Sequence, residues 1–151
     1  QTTSPKNIEK IFKKYNVPYN FGLLSIDIDG DDYWVWESLI NYRPVIVIIE
    51  TFPAIPNKYP LSIAYGKSDL DNGYFGANLN AMAMLADRKG YYFATTIAHN
   101  AIFINKEYFH KLKLPILSVD EIINNYFEIN EYWYKNRDSK NRSWVNLDKL
   151  Y

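Results

Sequence analysis

A short apolar run near the start of the chain ends in a group of acidic side chains. Residues 23–32 read LLSIDIDGDD, and the acids in it are Asp27, Asp29, Asp31 and Asp32. The apolar part is typical of a buried strand, and Gly30 allows the backbone to turn sharply after it. Ligands of open α/β sheets bind at the carboxyl ends of the strands. The pattern therefore predicts a ligand site where this strand ends.

The acids have two possible uses. Asp31 and Asp32 are as readily interpreted as caps of the helix that follows as they are as residues of the site. Short carboxylates accept hydrogen bonds from the free N–H groups of a first helical turn. Asp27 interrupts the apolar run, and a buried carboxylate needs a partner or a metal to offset its desolvation. We therefore expect Asp27 to be buried and functional.

A second apolar run, at 45–49, ends in Glu50. Five consecutive apolar residues, all of them β-branched, are typical of a central parallel strand covered on both faces. A strand–helix–strand unit crosses over with one hand, so its two strands end at the same edge of the sheet. We expect Glu50 to lie beside Asp27 and Asp29. Three such carboxylates could bind one Mg²⁺-like ion, since hard cations prefer oxygen ligands.

Periodicity and turn residues predict the other elements. Helices are predicted at 5–15, 33–40 and 77–89, and a capping box at Ser118 predicts a last helix to about residue 126. Strands are predicted at 23–28, 45–49, 91–97 and 101–105, the last two as an antiparallel hairpin with His99 in its turn. Residues 52–76 contain three prolines and three glycines, which predicts a long loop of the kind that covers a binding site.

Composition limits the classes of function. The 151 residues are a length for one domain, 1–151, and Lys plus Arg equals Asp plus Glu at 17 each. A net charge of zero gives no field that favours nucleic acid or an anionic membrane, so we expect neither as a partner. There is no cysteine, no apolar run that approaches the roughly twenty residues of a membrane span and no signal-peptide pattern. We expect a soluble, cytoplasmic protein.

Four segments carry a resemblance to a known family. They are LSIDIDGDDYW at 24–34, RPVIVIIE at 43–50, GANL at 76–79 and KGY at 89–91. Together they resemble the FkbM-like branch of the class I S-adenosylmethionine-dependent methyltransferases over about residues 4–105, with an unmatched helical tail at 106–151. The resemblance implies an α/β fold with a Rossmann-like, methyltransferase-type sheet of parallel strands plus a C-terminal antiparallel hairpin. It also implies O-methylation of a sugar or another small hydroxyl acceptor.

The chain departs from that family in one respect. Such enzymes hold the cofactor with a glycine-rich turn after their first strand, whereas this sequence has six glycines and no Gly-x-Gly. The resemblance therefore implies the C-terminal half of an enzyme whose N-terminal, cofactor-binding half is absent, and no cofactor-binding residue is assigned. We expect weak or no binding of S-adenosylmethionine. We also expect the edge of strand 23–28 to be covered by a second copy, the tail or an upstream domain of the same polypeptide.

Within that resemblance the catalytic candidates are Asp27, Asp29 and His99. His99 is the better of the two histidines for a general base, although a solvent-exposed turn residue is an equally simple interpretation. Asp27, Asp29 and Glu50 are the candidate metal ligands. His110, in a lysine-rich segment, is expected at the surface. Tyr74 and Phe75 are candidates for stacking on a sugar ring or for plain packing.

Two other classes of function remain open from the sequence. Asp27-x-Asp29-Gly30, with a second strand that ends in Thr51, looks like the first two motifs of haloacid-dehalogenase-type phosphatases, in which the first aspartate attacks phosphorus. Asp31 replaces the usual Thr or Val of that motif, and a later lysine and paired acids are present only if residues 67–71 serve. The third hypothesis is a non-catalytic dimerising or scaffold domain, a methyltransferase remnant.

Overall fold

The structure is a computed structural model that describes residues 3–118, 120–122, 140 and 142–150. Its strands are β1 (Leu23–Ile26), β2 (Ile46–Glu50), β3 (Leu61–Ser62), β4 (Tyr91–Ile97), β5 (Asn100–Asn105) and β6 (Val145–Asn146). Its α-helices are α1 (Ile8–Lys14), α2 (Asp32–Ser38), α3 (Leu79–Lys89) and α4 (Lys106–Leu112). Most of the helix predicted after Ser118 lies outside the described residues.

Four strands form one mixed sheet in the order β1-β2-β5-β4. β1 and β2 are parallel, with Ile26 opposite Ile49, and β5 is antiparallel to both β2 and β4. The predicted parallel pair and the predicted hairpin are therefore confirmed, and the protein is mixed α/β. The hairpin turn is tight, because Ile97 pairs directly with Asn100.

One face of this sheet builds the main core. Leu24, Val47 and Phe103 are buried on that face, where helices α2 and α3 supply side chains such as Trp36 and Leu85. Exposure alternates along β2, so that Val47 and Ile49 are buried while the residues between and beside them are half-buried. The second face of β2 is therefore covered only in part, less completely than the expectation of a strand covered on both faces implies. An unbroken apolar run conceals this alternation in the sequence.

The predicted loop at 52–76 is bound to the C-terminal part of the chain. β3, inside this loop, pairs antiparallel with β6. Tyr74 stacks on Trp144 with ring centroids 4.6 Å apart, and Phe75 stacks on Phe52 at 4.1 Å. Packing therefore accounts for Tyr74 and Phe75. The sequence predictions did not include β3 or β6, and they placed α4 only within a helical tail.

The sheet has an open edge in the described part of the chain. There β1 pairs only with β2, and the side chain of Leu23 is 53% exposed. What covers this edge stays a prediction. Among the described residues, no helix is both long enough and apolar enough to cross a membrane.

Candidate metal centre at the carboxyl ends of β1 and β2

The predicted acidic cluster forms. Asp27, Asp29 and Glu50 each offer a carboxylate oxygen, and these oxygens all lie within 4.8 Å of one another. Because Ile26 lies opposite Ile49 in the parallel pair, the residues that follow both strands meet at one edge of the sheet. Asp27 and Asp29 are exposed and Glu50 is half-buried. Oxygen ligands on a partly open rim suit a hard cation that retains some of its water.

The prediction that Asp27 is buried is wrong. β1 ends at Ile26, two residues earlier than predicted, and Asp27 faces solvent. The buried carboxylate is Asp32, at 1% exposure, which accepts hydrogen bonds from the N–H groups of Ile28 (3.0 Å) and Gly30 (2.9 Å). Burial raises the pKa of Asp32, and these two hydrogen bonds oppose the rise. Asp32 therefore holds residues 27–32, which we call the acid turn, in shape.

The residue with unusual backbone geometry in the acid turn is Asp29. Its φ of 54° lies in the left-handed region, which is unfavourable for residues other than glycine. The Ser68 hydroxyl donates to the Asp29 carbonyl at 3.0 Å, so a second segment stabilises this conformation. Gly30 matters for space, because a Cβ at this position would lie 2.8 Å from Ser68 Oγ. Asp31 also contacts this segment, accepting from Gly66 N–H at 2.9 Å, and makes no side-chain cap to α2.

Glu50 has an electrostatic environment that favours a bound cation. Burial, together with the neighbouring carboxylates of the acid turn, which disfavour another negative charge, raises the pKa of Glu50 to about 8. A divalent ion at this position would remove that repulsion. The donor chemistry and the electrostatics of the cluster therefore both fit a cation such as Mg²⁺.

His99 lies at the same edge. Its Nε2 is 3.7 Å from Glu50 Oε1, and its side chain is 32% exposed. The position depends on Thr51, whose backbone N–H and hydroxyl both donate to the His99 carbonyl at 2.7 Å. Both interpretations of His99, general base and turn residue, are compatible with this geometry. His110 is exposed on α4, as predicted.

Three residues of the site were not identified from the sequence as its supports. They are Asp32, Ser68 and Thr51, which hold the acid turn and the hairpin turn. Asp32 carries a usable signal, because an aspartate is well placed to accept the backbone N–H groups of a turn two and four residues before it. Ser68 and Thr51 act through contacts that are distant in sequence and carry no such signal. No family model, curated protein or solved structure matches this chain.

Proposed function

We propose that this chain forms the acceptor-binding half of an S-adenosylmethionine-dependent O-methyltransferase that acts on a sugar or another small hydroxyl compound. The observation that carries the proposal is the convergence of Asp27, Asp29 and Glu50, with His99 beside them, where two parallel strands end. The strand order supports it, because an antiparallel strand inserted next to parallel ones is the arrangement that the family resemblance implies.

The residues of the chain have defined roles in this proposal. Asp27, Asp29 and Glu50 would hold a Mg²⁺-like ion, which would supply a Lewis acid and make a bound hydroxyl easier to deprotonate. His99 accepts the proton of that hydroxyl at Nε2. Thr51 keeps the His99 backbone in place, so that the imidazole and the acid turn face the same acceptor. Removal of the proton leaves the acceptor oxygen nucleophilic.

The residues of this chain do not fit the methyl donor. The sequence lacks the glycine-rich turn that brings backbone close to such a cofactor. In our proposal the donor is held by residues outside this chain, next to the open edge of β1. That arrangement also accounts for an edge strand with an exposed apolar side chain, Leu23.

The phosphatase hypothesis receives less support from the geometry. Thr51 is 1% exposed and its hydroxyl donates to the His99 carbonyl, whereas a phosphate-binding hydroxyl must face the substrate. The scaffold hypothesis is favoured by one observation, the absence of a glycine-rich turn beside an open β1 edge.

The first experiment is a calorimetric titration of the chain with Mn²⁺ as a Mg²⁺ analogue. We expect one ion to bind, and binding to weaken at least tenfold in Asp27→Asn, which keeps the shape of the side chain and removes its charge. Asp71→Asn is the matched control, because Asp71 is an exposed aspartate of the 52–76 loop outside the cluster. Equal affinity in Asp27→Asn and the wild type would contradict the metal site.

The second experiment is a titration with S-adenosylmethionine. We expect weak or no binding by the 151 residues and measurable binding by a polypeptide extended upstream. Tight binding by the 151 residues alone would contradict the division into two halves. If neither polypeptide binds the cofactor and no cation binds, the scaffold hypothesis replaces the enzyme.

A further inference from the structure

A second charged site lies at the other end of the sheet. Arg43 precedes β2, and Lys89 precedes β4, which runs in the same direction as β2. Both cations therefore lie at the amino ends of these strands, about 16 Å from the acidic cluster for a strand of this length. They border a cavity of about 160 Å³. The lining residues are Trp36, Leu39, Ile40, Tyr42, Arg43, Arg88, Lys89 and Tyr91.

Lys89 is a half-buried cation whose partners carry no charge. Its Nζ donates to the backbone carbonyls of Glu37 (3.1 Å) and Leu39 (2.7 Å). Among the described residues, no carboxylate lies within 4.0 Å of this ammonium group. Burial, reinforced by Arg43 and Arg88 and opposed by Glu37 and Glu9, lowers the pKa of Lys89 to about 8. A partly desolvated charge of this kind is stabilised when a counter-ion binds beside it.

Arg43 is held in place with most of its hydrogen-bonding groups unused. Its Nη2 donates to the Lys89 carbonyl at 2.7 Å, and its other guanidinium N–H groups make no hydrogen bond to described residues. Gly90 provides the space, because a Cβ there would lie 2.7 Å from Nη2. Gly90 also has a φ of 81°, which favours glycine. The guanidinium group is therefore positioned at the cavity with donors to spare.

The nearest acid does not neutralise the pair. Glu37 lies 3.6 Å from Arg88, which also donates to the Tyr33 hydroxyl at 3.0 Å. Cations beside the last turns of α2 and α3 also stabilise the carbonyl ends of these helices. That role uses one N–H group of Arg43 and two of Lys89, and it requires no cavity between them. A second acid, Glu9, also acts on Lys89, and its carboxylate accepts from the N–H groups of Ile40 and Asn41. Three cations, Arg43, Arg88 and Lys89, thus face two acids, so an excess of one positive charge remains at the cavity.

We propose that this cavity binds an oxyanion, the phosphate or carboxylate group of a small molecule, between Arg43 and Lys89. A guanidinium group contacts two oxygens of such a group at once, and the ammonium group adds a point charge. A cavity of about 160 Å³ equals the volume of about five liquid water molecules. It accommodates one phosphate or carboxylate group with a few further atoms. The inference does not depend on the proposed methyltransferase function.

The test is calorimetry of the whole chain with inorganic phosphate and with acetate, at constant ionic strength in chloride. We expect one of the two to bind saturably. The tighter ligand identifies the group as phosphate or carboxylate. In Arg43→Gln we expect affinity to fall at least tenfold, whereas Lys58→Gln, at an exposed lysine outside the cavity, leaves it unchanged.

Lys89→Met is expected to abolish binding, but Lys89 also holds the end of α2, so its thermal unfolding is measured in parallel. Arg43 is exposed but donates one hydrogen bond to the end of α3, so thermal unfolding of Arg43→Gln is measured in the same way and its affinity is compared only where the variant is folded. The proposal is overturned if neither anion binds saturably to the wild type. It is also overturned if Arg43→Gln binds as tightly as the wild type, or if Lys58→Gln loses as much affinity as Arg43→Gln.

Discussion

Replacing Glu50 by glutamine should stabilise the metal-free protein while it destroys the cation site. The unfolded chain releases the Glu50 proton near pH 4.5, whereas the folded protein keeps it to about pH 8. Between these pH values the folded state binds more protons than the unfolded state, so stability falls as the pH rises. Glutamine does not ionise, and the variant escapes this loss.

The magnitude follows from the pKa of Glu50. A rise in pKa from 4.5 to about 8 means that ionising Glu50 lowers the free energy of unfolding by at most about 5 kcal/mol, since each pKa unit is worth about 1.4 kcal/mol. The Glu50 side chain remains 14% exposed, and solvent screens part of the repulsion. We therefore expect Glu50→Gln to be about 2 kcal/mol more stable than the wild type at pH 9, or about 6 °C in Tm. At pH 4.5 the two proteins should differ little, because Glu50 is then protonated in the folded state and half protonated in the unfolded state.

The assay is urea unfolding of both proteins at pH 4.5 and pH 9 with a chelator, with Asp71→Asn as the control for loss of an exposed charge. A repeat at neutral pH with Mg²⁺ should stabilise the wild type and leave Glu50→Gln unchanged. The reasoning is refuted if Glu50→Gln is less stable than the wild type at pH 9. An equal difference at both pH values would refute it as well.

Three further substitutions are tested by urea unfolding, two of them in the acid turn and one at the start of α3. Asp32→Asn should lower the free energy of unfolding by about 2 kcal/mol at pH 7 and weaken Mn²⁺ binding, because an amide has one oxygen and cannot accept both backbone N–H groups. Unchanged Mn²⁺ affinity would contradict this role of Asp32. Asn78 is fully buried and caps α3 by accepting from Ala81 N–H, so Asn78→Ala should lower the free energy of unfolding by about 3 kcal/mol. A loss below about 1 kcal/mol would contradict this capping role. Gly30→Ala should cost about 2 kcal/mol through contact with Ser68, and adding Ser68→Gly should restore part of it. Because Ser68→Gly also removes the hydrogen bond to the Asp29 carbonyl, a double variant that loses the full sum of the two single losses would show that the contact is not the cause.

Local pattern and strand direction together were enough to predict the acidic cluster. The apolar runs at 23–28 and 45–49 predict two strands, and the short helical segment between them makes the strands parallel. Parallel strands end at the same edge, so the residues after them meet whatever the rest of the chain does. The exit of α3 at Gly90 was likewise predictable, because a left-handed glycine is a common end for a helix.

The burial of individual carboxylates was not predictable in the same way. Asp27 and Asp32 both follow an apolar run, and only the path of the turn determines that Asp32 faces inward and Asp27 faces solvent. That path depends on Ser68, which lies 39 positions from Asp29. Alternation of residue types along a strand predicts which side chains face inward, but it gives no such prediction for the turn that follows the strand.

The sequence by itself therefore determined the main helices and strands, because these depend on interactions between neighbouring residues. It also determined which acids meet at the end of the parallel pair, because that depends only on the direction of two strands. Only the tertiary structure determined the pairing of β3 with β6, the contact of Ser68 with the acid turn and the approach of Arg43 to Lys89. Each of these joins segments that are far apart in the chain. Their energy comes from contacts made only after the chain has folded, so no local pattern of residue types predicts them.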